Sequence, residues 1–266
     1  MIPQILEKYK TELESYKRDS ILISENELRI LNPDKSDFKT SKYLGYPFIP
    51  LIMEYPKDHK GNAFIPTIQI NFADVPKSDL FPEKGILQVF LSQEFNFGKE
   101  DCFVQYITEE QLQLPYLRDF SFLKDEFYSK NPFKSIYQLN FEKTFSWASA
   151  TDSQYRFQCD EFDGVSVEEY MWDLMDEDED AYDEFNDFFN GESKGSKLGG
   201  YGYFLHGDMR NIKSHIKNGI LLLQIDGSDE SVYNIEQDVY LHLFISEQDL
   251  KNRDFSRVYI DWEVSD

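Results

Sequence analysis

Two glutamines, Gln69 and Gln224, lie 155 positions apart, each inside an apolar stretch of the chain. Asn71 and Asp226 follow them by two residues, and residues two apart share one face of a strand. A buried amide needs hydrogen-bond partners, which either the fold or a ligand must supply. Two interpretations follow: each glutamine holds a loop of its own region, or the four side chains line a cleft that binds a small polar ligand or a peptide.

Histidine is the side chain best suited to acid–base chemistry near neutral pH, and the chain has four: His59, His206, His215 and His242. None of them lies near a cysteine in the sequence, so no familiar catalytic arrangement is indicated. His242 stands inside an apolar stretch, 154 positions after Gln88. We therefore predict no catalytic residue, and we add Gln88 and His242 to the candidate ligand-binding side chains.

Three aspartates, Asp176, Asp178 and Asp180, alternate as the first ligands of a calcium loop do. Such a loop requires glycine at its sixth position and glutamate at its twelfth, where this chain has Ala181 and Asp187. No spacing of cysteine and histidine suits zinc. We predict no metal site and no cofactor; a weak, nonspecific site for a hard divalent cation is the alternative.

The segment between Arg156 and Lys194 holds 15 carboxylates and no basic residue, which leaves −8 of the formal net charge of −23 for the rest of the chain. This field repels phosphate backbones, so no nucleic-acid partner is expected. The charge either attracts a basic protein partner or serves solubility alone. The candidate partner-binding residues are Trp172, Asp176, Asp178, Asp180, Asp183, Glu184 and Asp187.

Short matches recur along the chain at a nearly constant offset of 154 or 155 positions. Residues 41–48 resemble 196–203, residues 68–71 resemble 223–226, and residues 87–93 resemble 241–247. Several matches at one offset indicate an internal repeat of two long copies. The predicted fold is α+β, with two internally duplicated, mainly antiparallel β-rich halves, an N-terminal helix and an acidic helical insertion.

Hydrophobic periodicity places the elements of this fold. Strands are predicted at 67–72, 86–92, 102–108, 220–226, 239–246 and 257–264, with shorter runs at 21–24 and 27–31. Helices are predicted at 3–17 and from a capping box formed by Ser166 and Glu169, the latter as one helix interrupted at 176–180 or as two in succession. Residues 112–140 show no clean period, apart from a helical turn at 122–128.

The chain is expected to form a single body, 1–266, in four segments. These are an N-terminal helix with short strands (1–40), a first β-rich half (41–150), the acidic insertion (151–195) and a second β-rich half (196–266). Cys102 and Cys159 are too few for a secreted disulfide framework, and the charged N-terminus lacks the apolar region of a signal peptide. No apolar stretch is long enough for a membrane helix, so a cytoplasmic protein is predicted.

Several stretches of the sequence also resemble the YwqG-like family of bacterial proteins. They are residues 42–50 (KYLGYPFIP), 54–56 (EYP), 69–74 (QINFAD), 85–90 (GILQVF), 222–226 (LLQID) and 249–255 (DLKNRDF). The resemblance implies a bacterial protein of mixed α+β fold and transfers no catalytic residue. The chain departs from the repeat at Gly202, where a proline would parallel Pro47.

Two functions are consistent with these observations. The first is a non-enzymatic, cytoplasmic protein-interaction module that binds a basic protein through the acidic, aromatic-containing helical face. The second is a protein, or an enzyme, that binds a small polar ligand or a peptide between the two halves.

Overall fold

The computed structural model describes residues 2–27, 37–93, 101–124, 131–159, 164–234 and 237–265. Its α-helices in these ranges are α1 (Lys10–Ser15), α2 (Val167–Glu177), α3 (Glu179–Gly191) and α4 (Glu247–Asn252). A 3₁₀ segment, Gln4–Tyr9, leads into α1, and further 3₁₀ turns lie at Gln111–Gln113, Met209–Asn211, Ser214–Ile216 and Phe255–Arg257. Helix is therefore concentrated at the N-terminus and in the acidic segment, as predicted.

Ten strands form one sheet, and two short strands form a separate hairpin. The strands are β1 (Arg18–Glu27), β2 (Lys42–Tyr43), β3 (Ile65–Asn71), β4 (Ile86–Leu91), β5 (Cys102–Ile107), β6 (Tyr137–Ser146), β7 (Gln158–Cys159), β8 (Val165–Ser166), β9 (Lys197–Gly199), β10 (Ile220–Asp226), β11 (Val239–Ile245) and β12 (Tyr259–Val264). The order in the large sheet is β12-β11-β10-β9-β1-β6-β2-β3-β4-β5, and every neighbouring pair is antiparallel.

This strand order divides the sheet into two units of five strands. The first unit is β6-β2-β3-β4-β5 and the second is β1-β9-β10-β11-β12, joined where β1 pairs with β6 along its full length. Each unit has a register shift at the same place, between Pro66 and Ile68 in β3 and between Leu221 and Leu223 in β10. The units share strand order and register, while descent of both from one copied ancestor stays a prediction.

The core of the sheet lies between the two units. Ile70 and Leu87 of the first unit share a buried cluster with Ile225 and Leu241 of the second. The strands β4 and β11 are buried along their whole length, because one face meets this core and the other is covered by loops. Their sequences are therefore mainly apolar, with Gln88 in β4 and His242 in β11 as buried polar residues.

The two outer strands, β5 and β12, approach each other and give the sheet the form of a near-barrel. The Trp262 indole Nε1–H donates to Cys102 Sγ across this seam at 3.2 Å. The rings of Tyr106 and Phe255 stack there with centroids 4.5 Å apart. Among the described residues no backbone ladder joins β5 to β12, so side chains alone close the seam.

The helical part has a second core of its own. Leu6 and Leu13 of the N-terminal segment are buried in one cluster with Tyr170 of α2 and with Phe185 and Phe189 of α3. The α2–α3 hairpin thus uses its aromatic stripe to pack on the N-terminal segment. Its opposite, acidic side is left to solvent, as an amphipathic helix requires.

The predicted start and interruption of the acidic helices are both present. Ser166 Oγ accepts from the Glu169 backbone N–H at 3.2 Å, and the Glu169 carboxylate accepts from the Ser166 N–H at 2.9 Å. α2 ends before Asp178, whose carboxylate accepts from the Ala181 N–H at 3.2 Å and so caps α3. Of the two alternatives for this segment, two helices in succession is the observed one.

The first 40 residues and the stretch 112–140 were read less completely from sequence. β1 runs unbroken to Glu27 where two short strands were expected, and residues 28–31 lie outside the described part. The long strand β6 was not predicted at all. It carries Glu142, Lys143 and Thr144 on a partly exposed stretch, so it lacks the apolar run that marks the other strands. The expected helical turn at 122–128 lies mostly outside the described residues.

Candidate functional site

Gln69 anchors the loop that follows β2. Its carbonyl Oε1 accepts from the Phe48 N–H at 3.0 Å, and its amide Nε2 donates to the carbonyls of Phe38 and Thr40 at 2.8 and 2.9 Å. The side chain is buried within its own unit. These bonds use the donors and the acceptor of the amide, as a buried glutamine requires.

Gln224 makes the same three hydrogen bonds in the second unit. Its Oε1 accepts from the Tyr203 N–H at 2.9 Å, and its Nε2 donates to the carbonyls of Ser193 and Gly195 at 3.0 and 2.9 Å. Every partner stands 155 positions after its counterpart around Gln69. The geometry is that of the loop-holding interpretation of the two glutamines.

Asn71 and Asp226 continue the same plan at the ends of β3 and β10. Asn71 donates from Nδ2 to the Lys39 carbonyl at 3.0 Å. Asp226 accepts through Oδ2 from the Gly195 N–H at 2.8 Å and from the Tyr240 hydroxyl at 3.0 Å. Both side chains secure the segment that leads into the short strand of their own unit.

A row of polar side chains crosses the outer face of the first unit, with one residue from each of the four strands β2, β3, β4 and β5. Lys42 lies opposite Gln69, Gln69 opposite Gln88, and Gln88 opposite Gln105. Gln88 Nε2 donates to Gln69 Oε1 at 2.7 Å, and Gln105 Nε2 donates to Gln88 Oε1 at 2.7 Å. We call these four residues the amide row, since its three amides form an unbroken chain of hydrogen bonds.

The equivalent row of the second unit is ionisable. Lys197, Gln224, His242 and Asp261 stand opposite one another in turn, and we call them the ionisable row. His242 Nε2 lies 2.9 Å from the Tyr203 carbonyl oxygen, which only accepts, so Nε2 carries the hydrogen and Nδ1 presents a lone pair. His242 thus holds the loop of the second unit as Gln88 holds that of the first, where Gln88 donates to the Phe48 carbonyl at 2.9 Å.

Two buried atoms of the ionisable row have no hydrogen-bond partner among the described residues. They are His242 Nδ1 and Asp261 Oδ2, on neighbouring strands. Glu263 Oε2 lies 3.7 Å from His242 Nδ1, and this carboxylate accepts from the backbone N–H groups of Leu205 and His206 at 3.1 and 3.0 Å. Several hydrogen-bond acceptors therefore lie close together in the ionisable row. In the amide row, by contrast, donors and acceptors alternate.

Burial sets the charge of these groups. It lowers the pKa of the fully buried His242 imidazole to about 3, so the ring is neutral at physiological pH. It raises the pKa of the Asp261 carboxyl to about 6, and the nearby Asp208 carboxylate adds to that rise. It also raises the pKa of Glu263.

The lysines of the two rows were not singled out from sequence. Lys42 Nζ donates to the Asp37 carbonyl at 2.8 Å, and Lys197 Nζ donates to the Ser193 carbonyl at 2.5 Å. Burial lowers the pKa of Lys42 to about 8 and that of Lys197 to about 7. Their signal was present, because a Ser-Lys pair occurs at 41–42 and again 155 positions later at 196–197.

Arg210 forms a buried ion-pair cluster that sequence reasoning also missed. Its guanidinium lies 2.8 Å from Asp152 and 2.7 Å from Asp208, over the ring of Phe244. Asp152 accepts in addition from the Gly202 N–H at 2.7 Å. The cluster ties the loop around residue 152 to the loop that covers the ionisable row, and these scattered residues have no sequence motif.

A serine motif in the sequence has no catalytic geometry. Residues 191–195 (GESKG) fit the G-x-S-x-G pattern of hydrolase nucleophiles, which requires the serine at the end of a strand and before a helix. Ser193 instead follows α3, is fully buried, and donates from Oγ to the Asn190 carbonyl at 3.0 Å. It serves as part of the end of α3.

The buried space within the core between the two units is apolar and small. A cavity of about 10 Å³ lies there, lined by residues that include Ile68, Phe133, Ile225 and Trp262. None of the six candidate ligand-binding residues lines it. The structure brings Gln69 together with Gln88, and His242 with Gln224 through Tyr203, whereas no hydrogen bond among the described residues joins one pair to the other.

The acidic hairpin α2–α3 presents all of its eleven carboxylates as exposed side chains. The predicted partner-binding residues Trp172, Asp176, Asp178, Asp180, Asp183, Glu184 and Asp187 all belong to this exposed set. Trp172 is 62% exposed and Met175, one turn further on, is 47% exposed. Phe185, Phe188 and Phe189 are buried, so Trp172 is the aromatic residue that this surface offers.

Two features are absent from the described part of the chain. No group of three or more His, Cys, Asp or Glu side chains there could hold a metal ion. No helix in the same part of the chain has the length and apolar character to cross a membrane.

The fold is a mixed α+β near-barrel of two like five-stranded units, with an acidic helical hairpin inserted before the last four strands of the second unit. The chain belongs to the family described as Domain of unknown function (DUF1963), whose model matches residues 41–263. The match includes the hairpin and both polar rows and begins after β1. A search of the curated proteins finds no match to the chain.

Proposed function

We propose that this protein is a non-enzymatic interaction module that binds a basic protein through the exposed side of the α2–α3 hairpin. The observation that carries the proposal is Trp172, a large aromatic side chain left 62% exposed on a helix whose remaining surface is acidic. Exposing an indole to water is unfavourable, and binding surfaces are where tryptophan is enriched.

The helix geometry gives this surface a defined centre. Trp172 and Met175 are three residues apart and so lie on one side of α2. Glu168 and Asp176 stand four residues before and after Trp172 on the same side, and both are exposed. An apolar pair with a rim of charge is the arrangement in which partners gain affinity at the centre and specificity at the edge.

Charge complementarity identifies the partner as basic. The eleven exposed carboxylates of the hairpin have no lysine or arginine among them. At physiological salt, charges act over roughly 8 Å, so the hairpin attracts a cationic surface at short range and repels nucleic acid. The matching partner surface is an amphipathic basic segment with an apolar side chain for Trp172.

Peptide binding tests the proposal. The probe is a labelled helical peptide of lysine and leucine, and the control is the same peptide with every lysine replaced by glutamate. Binding of both is followed by fluorescence anisotropy. Trp172→Ala is expected to raise the Kd about tenfold, the effect of losing a hot-spot aromatic. Ile212→Ala is the matched variant, because Ile212 is 73% exposed but lies outside the hairpin.

Salt dependence completes the experiment. We expect the Kd to rise steeply with ionic strength for the wild-type protein, because the attraction is between exposed charges. Equal effects of Trp172→Ala and Ile212→Ala, or a Kd indifferent to salt, would refute the assignment of this surface. A partner captured from the native host counts in its favour only when its own basic segment reproduces the Trp172 dependence.

We further propose that the chain is a YwqG-like protein of a bacterium and works in the cytoplasm. The family resemblance of residues 42–50 and 69–74 supports the first statement. Burial that raises the pKa of Cys102 to about 12 is consistent with a thiol kept reduced. Fractionation of the native host tests the compartment, and recovery outside the cytoplasm would contradict it.

The alternative of a ligand site built from Gln69, Asn71, Gln88, Gln224, Asp226 and His242 has weaker support. The hydrogen bonds of Gln69, Gln88 and Gln224 are already made within their own units. A groove elsewhere between the two units has the open volume that a ligand site needs, but none of these six residues lines it.

A further inference from the structure

A groove of about 570 Å³ opens at the end of the near-barrel where the β3–β4 connection of the first unit meets the second unit. Its walls include Asp79 and Leu80 from the first unit and Ile220 and Glu247 from the second. Sites for small molecules have volumes of roughly 300–1,000 Å³ and favour the junction between two structural units. The groove meets both conditions and is distinct from the α2–α3 hairpin.

A fixed positive charge lies in this groove. Arg18, at the start of β1, lines it and donates from Nη1 to Gln154 Oε1 at 3.1 Å. The guanidinium also stands 4.2 Å from the ring centroid of Tyr201. Gln154 is itself held by the Gly219 carbonyl, to which its Nε2 donates at 2.9 Å. Since a guanidinium has five N–H donors, donors remain for a carboxylate.

One of the carboxylates that line the groove lacks an ion-pair partner. Asp19 lies 3.1 Å from Lys143, and Glu247 lies 2.5 Å from Lys251, so both already have a cation. Asp79 has no ion pair within 4 Å among the described residues, and it is exposed. The groove therefore offers one positive and one negative group to a ligand, with an apolar wall from Leu80 and Ile220 beside them.

We propose that this groove binds a small zwitterion with an apolar side chain, such as a free amino acid or a short peptide. The ligand's carboxylate meets Arg18, its ammonium meets Asp79, and its side chain lies on Leu80 and Ile220. A ligand that carries only a carboxylate or only an amine pairs with one of these two charges and leaves the other without a partner in the groove, so it gains less than a zwitterion does.

Isothermal titration calorimetry with leucine and dileucine tests the proposal. The blocked analogues are N-acetyl-leucine, which lacks the ammonium, and leucinamide, which lacks the carboxylate. We expect saturable binding of leucine or dileucine, and at least tenfold weaker binding of both analogues. Tighter binding of leucine identifies a free amino acid as the ligand class, and tighter binding of dileucine identifies a peptide.

Variants separate the site from general effects on the fold. Asp79→Asn changes an exposed side chain and is expected to weaken binding at least tenfold with an unchanged melting temperature. Glu83→Gln is the matched control in the same loop, because Glu83 is exposed and paired with Lys77 at 2.6 Å. Absence of saturable binding, retention of either blocked analogue, or an Asp79→Asn affinity equal to that of Glu83→Gln would overturn the proposal.

Discussion

Replacing His242 by glutamine should make the protein more resistant to acid. Gln88 occupies the equivalent place in the amide row and donates to the Phe48 carbonyl, so the new side chain can donate to the Tyr203 carbonyl in the same way. Glutamine does not titrate, whereas histidine gains a proton in mild acid when the chain is unfolded and resists it when buried. The substitution therefore removes a titrating group and keeps the loop-holding hydrogen bond.

The size of the effect follows from the pKa of His242, which burial lowers to about 3 from an ordinary 6.5. A lowered histidine pKa gives stability that is fully present above pH 6.5 and is lost as the pH falls toward 3. Each pH unit in this window costs about 1.4 kcal/mol, so the loss over the roughly two units down to pH 4.5 is ~3 kcal/mol. That corresponds to a melting temperature lower by roughly 5–10 °C for a chain of this size.

Asp261 titrates with the opposite sign and has to be separated. A carboxyl whose folded pKa is raised to about 6 favours the folded state in acid, and that advantage is lost as the pH rises from about 4 through 6. Its partial exposure reduces the effect through solvent screening. Because Asp261 is unchanged in His242→Gln, its contribution cancels when variant and wild type are compared at each pH.

Urea unfolding at about pH 7.5, 6 and 4.5 measures the difference, with the exposed His59→Gln as control. We expect wild type and His59→Gln to lose ~3 kcal/mol more than His242→Gln between the first and last pH. The double variant His242→Gln/Asp261→Gln should give the second unit a full chain of amides like that of the first unit, where Gln105 donates to Gln88. Equal acid losses in wild type and His242→Gln would refute the reasoning from burial.

Two further outcomes follow from the hydrogen bonds and the seam. Gln69→Leu and Gln224→Leu each leave three buried or part-buried backbone groups without these partners. In urea unfolding each should cost ~3 kcal/mol and agree with the other within about 1 kcal/mol, whereas the exposed Gln248→Leu should cost little. Burial raises the pKa of the Cys102 thiol to about 12, so little reactive thiolate is present at about pH 8. Mass spectrometry should therefore find Cys102 unmodified by iodoacetamide in the native protein and modified after denaturation. Rapid alkylation of the native protein would contradict the burial of Cys102.

The strands that bury both faces were predictable because their sequences are continuous apolar runs. Residues 220–226 were predicted as a strand and form β10, and the Ser166 capping box marked the start of α2. β6 was missed because its half-exposed stretch carries Glu142 and Lys143, and a strand of such polar sequence depends on tertiary pairing.

The polar rows show the same division between local and tertiary information. Repeat spacing located Gln69, Gln224 and His242. It did not indicate Asp261 or Arg210, because their roles depend on cross-strand register and on loops that meet only in the folded protein. The assignment of any of these residues to ligand binding stays a prediction.

The seam between β5 and β12 has a consequence for assembly. The Trp262 indole, the Cys102 thiol and the stacked rings of Tyr106 and Phe255 hold the edges of β5 and β12 together. Among the described residues, no backbone ladder joins these two edges. If those few side-chain contacts part, each rim becomes a template on which a strand from another molecule can add. We therefore expect substitutions of Trp262 or Phe255 to promote self-association of the protein through these strand edges.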